Sequence, residues 1–85
     1  MEEQNTLDRL EQGRSAVIKT LAVDGEQRRR LQDIGLIEGT RVTCLQKAPG
    51  GGPAAFLIRG AVIALRQDDT KRIAVSIGRG DSRGR

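Results

Sequence analysis

Leu31-Gln32-Asp33-Ile34-Gly35-Leu36-Ile37-Glu38-Gly39-Thr40 reads as the end of a helix, a compact corner and the first residue of a strand. Placed as the C′ residue, Gly35 takes the left-handed conformation that closes a helix without a Cβ clash. Leu36 is then C″ and Leu31 is C3, the pair that touches in a Schellman ending. Ile37-Glu38-Gly39-Thr40 suits a type II turn, with Gly39 supplying positive φ at the third position. The stretch holds no histidine, no catalytic nucleophile and no phosphate loop, which points away from an enzyme.

Upstream, the helix starts at Asp24 and is predicted over residues 24–34. Asp24-Gly25-Glu26-Gln27 matches a capping box, with Asp24 in the cap and Gln27 at N3. Leu31 and Ile34 form only a narrow apolar stripe, and so short a helix does not hold alone in water. It must lie on something, anchored by Leu31, Ile34 and Leu36. Before it, Ser15–Val23 is a strand whose parity breaks: Ile18 and Leu21 would face opposite ways, which implies a bulge or burial of both faces. Thr6 is placed as the cap of a first helical turn that dips Leu7 and Leu10 into the core. Residues 1–5, polar and acidic, are expected to be loose.

Downstream, Arg41–Gln46 alternates with Val42 and Cys44 on one face. Ala48–Pro53 is a Gly-rich hairpin loop. Ala54–Arg59 shares a face through Phe56 and Ile58, and Ala61–Arg66 through Ile63 and Leu65. Gly60 marks the tight bend between them. Residues 67–72 make a short helical turn with acids first and bases last. Ile73, Val75 and Ile77 point inward on the last strand. About five short strands joined by tight turns curl into a small barrel that removes its edges. Residues 1–77 form this single mainly β domain, with two or three short inserted helices, and 78–85 are expected to be a disordered basic Gly/Arg tail.

Composition narrows the function classes. The 85 residues suffice for one domain with a small aliphatic core, since there is one Phe and no Tyr or Trp. Residues 1–77 carry 12 Lys/Arg against 10 Asp/Glu, while 78–85 add three Arg and one Asp. Half of the net +4 therefore sits in the tail, and the folded part is close to balanced. A single cysteine, Cys44, allows no internal disulfide and fits a reducing cytoplasm. The longest apolar runs are five residues, against roughly 18 for a membrane span. The expectation is a soluble protein with no direct membrane insertion.

The ordered signals resemble the ferrous-iron transport protein A (FeoA) family. The resemblance covers residues 6–77. It rests on Thr6-Leu7, Leu10 and Gly13, on Arg30-Leu31, Ile34-Gly35-Leu36 and Gly39-Thr40, and on Ala48-Pro49, Pro53, Gly60, Ile63-Ala64-Leu65-Arg66, Ile73 and Val75. It implies an SH3-like barrel and a cytoplasmic accessory role beside a membrane GTPase permease that imports ferrous iron. Glu38 stands where the family often has Pro, Thr70 where a small Ala is usual, and the Gly-rich hairpin and basic tail are extra.

Each chemical motif has a plain structural reading beside it. With no His in the chain and Cys44 pointing inward, no cofactor is predicted, and ferrous iron only weakly, near Asp68-Asp69 or Cys44. Gly50-Gly51-Gly52 lacks the Gly-Lys-Ser/Thr ending of a phosphate loop, so no GTP binding is expected. Arg28-Arg29-Arg30 fan across about 200° of a helix, so at most two share a direction. Ile37 has no obvious burial, and an exposed Ile beside arginines suits a small interface. Arg28, Arg29, Ile37 and Glu38 are the candidate partner contacts. Leu31, Gly35, Leu36, Gly39, Thr40 and Gly60 hold the shape. The partner implied by the resemblance is the cytoplasmic side of the GTPase permease. The alternatives are a nucleic-acid-binding barrel, disfavoured by the lack of stacking aromatics, and a direct iron sensor.

Overall fold

The computed structural model describes residues 2–78. Six strands make one antiparallel sheet: β1 (Glu2–Thr6), β2 (Ser15–Leu21), β3 (Arg41–Lys47), β4 (Ala54–Ile58), β5 (Ala61–Leu65) and β6 (Ile73–Gly78). Their order across the sheet is β1-β6-β2-β3-β4-β5. Helix α1 (Gly25–Asp33) joins β2 to β3, and the single turn α2 (Gln67–Thr70) joins β5 to β6. Two 3-10 turns, Leu7–Arg9 and Pro49–Gly51, complete the chain.

Alternating residues from β2 to β6 supply one aliphatic core. Ala16, Ile18, Val42, Phe56, Ile58, Ile73 and Val75 are buried, joined by Leu7, Leu10, Leu31 and Leu36. The predicted inward faces of β3, β4, β5 and β6 are therefore realised, with Ile63 and Ile77 half-buried against the core. The bulge expected in β2 lies between Ile18 and Thr20, where the pairing with β6 shifts register. Cys44 is buried in β3 opposite Phe56, and burial raises its thiol pKa above the ordinary value.

Four expectations are corrected. Residues 2–6 are a strand, paired with β6 from Glu2↔Gly78 to Thr6↔Ala74. Backbone hydrogen bonds to a strand about seventy residues away order a segment that has no apolar pattern of its own. The strand count is thus six, one more than the sequence suggests. Asp24 occupies the N-cap position but its side chain makes no capping bond. Gln27, which should have folded back toward it, instead donates Nε2 to Asp69 Oδ1 at 2.7 Å, a charged acceptor 42 residues away. Thr6 likewise caps through no side-chain bond. Gly78 ends β6 and is not tail; the rest of the expected tail, 79–85, lies outside the described residues.

Candidate functional site

The corner between α1 and β3 is built almost wholly from backbone bonds. Gly35 N–H donates to Gln32 O at 3.0 Å and Leu36 N–H to Leu31 O at 3.1 Å, the two bonds of a Schellman ending. Gly35 has φ +110°. A Cβ there would stand 2.8 Å from Arg59 Cδ and 3.0 Å from Ile58 Cγ2, so the helix end seats directly on the β4–β5 turn. Leu31 and Leu36 are both buried, as the motif requires.

The next turn closes with Thr40 N–H on Ile37 O at 2.9 Å and Gly39 at φ +92°. The corner is then clamped to the bulged strand from both sides. Ile18 N–H donates to Thr40 O and Gly39 N–H donates to Ile18 O, each at 2.8 Å. These two bonds continue the β2–β3 pairing in register, and the bulge follows directly after Ile18, where the pairing with β6 shifts. Leu31, Gly35, Leu36, Gly39 and Thr40 are accounted for by this construction. Gly60, with Arg59, forms the two-residue β4–β5 turn, both at positive φ (+85° and +50°).

On this frame Ile37 is 45% exposed, and Glu38 beside it is exposed. Arg28 and Arg29 are also exposed, but they lie further back along α1. Residue 29 precedes the helix end at 33 by about 6 Å of rise. Arg28 is partly committed, since its Nη1 donates to Leu21 O at 3.4 Å. The four candidates therefore divide into a corner pair and a helix pair.

The candidate metal residues are otherwise engaged. Asp69 is buried and accepts from Gln27, and Asp68 pairs with Lys71 at 3.6 Å. Among the described residues no three His, Cys, Asp or Glu side chains come close enough to share an ion. No helix among them is long and apolar enough to cross a membrane.

The structure also exposes three large apolar side chains that were not among the candidates, one of them Leu45 on β3 (39% exposed). Leu57 (38% exposed) and Val62 (66% exposed) are direct cross-strand partners on the outer face of β4 and β5. Their signal was present: if Phe56, Ile58, Ile63 and Leu65 face in, then Leu57 and Val62 face out.

The FeoA domain model matches residues 5–77. The FeoA protein from Chlorobium tepidum is 32% identical with a TM-score of 0.81, over 93% of this chain and 75% of that one. Iron(II) transport protein A from Clostridium thermocellum is 35% identical with a TM-score of 0.81, over 85% of this chain but 44% of that one. FeoA from Stenotrophomonas maltophilia, complexed with zinc and described as a prokaryotic SH3 domain protein, is 31% identical with a TM-score of 0.71, over 82% of this chain and 87% of that one. A manganese-dependent transcriptional repressor shares the fold at 18% identity and a TM-score of 0.80. Comparison with curated protein sequences gives no match. With its Schellman corner, its SH3-like sheet and a family match over nearly its whole length, this chain belongs to the FeoA family, which is associated with ferrous iron transport.

Proposed function

We propose that this chain is an accessory protein of ferrous iron uptake that docks on the cytoplasmic part of a GTPase iron permease and modulates its assembly or activity, with no chemistry of its own. The supporting observation is Ile37, nearly half exposed on a corner where its own N–H and those of Gly35, Leu36, Gly39 and Thr40 are bonded within the protein. An aliphatic side chain held out on a rigid support loses little conformational freedom when a partner covers it. Glu38 supplies a charge beside it, and Arg29 extends the surface along α1.

Family membership supports the link to iron, and the S. maltophilia relative has been suggested to act as an activating factor in ferrous iron transport. The experiment is a pull-down of the permease's soluble domain by the full chain and by Ile37→Asp, with circular dichroism to check folding. The variant should fold normally and lose most of its binding. Unchanged capture would remove Ile37 from the site. Tight oligonucleotide binding that survives deletion of 79–85 would favour a nucleic-acid role instead.

A further inference from the structure

The β4–β5 hairpin leaves a row of backbone groups unused. Its turn has two residues, and the closing pair is Ile58↔Ala61. In such a hairpin the closing pair exchanges both hydrogen bonds, and bonded pairs then alternate along the strands. Ala61, Ile63 and Leu65 therefore bond to β4, while Val62 and Ala64 turn their N–H and C=O groups away from it. β5 is the last strand of the sheet, and no turn or loop bond among the described residues reaches those groups. Natural edges are normally defended by charge or proline. The opposite edge, β1, begins Glu2-Glu3, but Ala61-Val62-Ile63-Ala64-Leu65 carries neither defence.

A groove of about 490 Å³ runs between this edge and α1. Gln27 and Arg30 line it from the helix with Ile34 just past its end, and Ile63 and Ala64 from the strand with Arg66 just past its end. The carboxylates at its end, Asp68 and Asp69, already have Lys71 and Gln27. The guanidinium groups of Arg30 and Arg66 make no hydrogen bond or ion pair among the described residues. The unspent charge in the groove is positive.

We propose that the α1–β5 groove takes an extended peptide strand from another protein, added edge-on to β5, with about three aliphatic residues and a carboxylate beside Arg66. The exposed backbone of Val62 and Ala64 supplies the hydrogen bonds. Side chains alternate, so one face of the guest meets Ile34 and Ile63 while the other continues the Leu57–Val62 row. A second copy's β5 does not fit this description, because it is flanked by Arg59 and Arg66 and would bring like charge to the same end. The site stands apart from the permease reading, since none of Arg28, Arg29, Ile37 or Glu38 lines the groove.

The test is a titration of the ¹⁵N-labelled full chain with the peptide acetyl-Glu-Val-Ile-Val-Thr-amide and with a counterpart in which Lys replaces Glu. Amide shifts should cluster at Val62, Ala64, Arg66 and Arg30. The Lys peptide should bind roughly tenfold more weakly, the scale of one charge-assisted contact. Arg66→Glu should reverse that preference. Ala64→Pro removes only an outward N–H, which an edge strand tolerates, and should abolish binding. Methylating alternate backbone nitrogens of the peptide checks the same bonds without altering the protein. Shifts clustered elsewhere, equal affinity for the two peptides, no binding at millimolar peptide, or self-association of the free chain through β5 would each overturn the proposal.

Discussion

The α1–β3 corner and the β5 edge are two places where this small sheet meets the outside, and they do so in opposite ways. At the corner, Gly35, Leu36, Ile37, Gly39 and Thr40 all donate their backbone N–H groups within the protein. What remains for a partner is side chain: Ile37 and Glu38. Along β5 the side chains of Ile63 and Leu65 are turned to the core, and what remains is mostly backbone, with Val62 displayed on the outer face. A closed main chain recognises through the residues it displays. An open one recognises the shape of a strand and is nearly indifferent to the residues that carry it.

The contrast can be broken most forcefully at Leu36. It is fully buried and closes the Schellman contact with Leu31. Leu36→Ala should cost about 2–5 kcal/mol in urea unfolding and loosen the whole corner. A loss near zero would mean that the corner is not seated by that side chain.

Next come the two glycines, which separate contact from conformation. Gly35 combines φ +110° with a Cβ position crowded by Ile58 and Arg59, whereas Gly39 has φ +92° and open space around it. Gly35→Ala should cost about 1–3 kcal/mol, and Gly39→Ala only about 1 kcal/mol, through strain alone. Equal losses would show that the helix end does not press on the β4–β5 turn.

A smaller effect belongs to Cys44, behind the β3–β4 face. Its thiol pKa is raised above 9.0 by burial, so the folded state holds the proton to higher pH than the unfolded chain does. The stability it contributes is present below the unfolded pKa and is lost as pH rises through the folded one. Urea midpoints compared at about pH 8 and about pH 10 should fall for the native chain by more than for Cys44→Ala. The smallest effects on stability are expected at the displayed groups themselves. Ile37→Asp and Val62→Lys should each stay within about 0.5 kcal/mol of the native chain. Only their binding partners should notice them.

The corner was legible in the sequence because it is local. A Schellman ending needs Leu31, Gly35 and Leu36 at fixed offsets, and a type II turn needs Gly39, so a window of ten residues contains the whole argument. The inward faces of β3 to β6 were legible for the same reason, through period-two alternation. What failed was non-local. Glu2-Glu3-Gln4-Asn5 has no strand pattern, and only β6, at the far end of the sequence, makes it a strand. Gln27 is a good capping-box residue that finds Asp69 instead. Ile37 and Glu38 stood out as residues the turn does not need. The β5 edge and its groove could not be read from windows, because they depend on which strand lies last in the sheet and on a helix encoded thirty residues earlier.

The β1–β6 pairing carries a consequence for how the molecule comes into being. Glu2 lies opposite Gly78, so that ladder joins residues separated by nearly the whole described chain. Closing so long a loop is slow and is rewarded only once both strands exist. On the ribosome, the hairpins β3–β4 and β4–β5 can form while synthesis continues, but β1 must wait for the last strand to emerge. Until then β2 also lacks its β6 neighbour, and the nascent chain exposes strands that are paired in the finished sheet. The aggregation-prone interval in the life of this protein is therefore the short one before residue 78 is released.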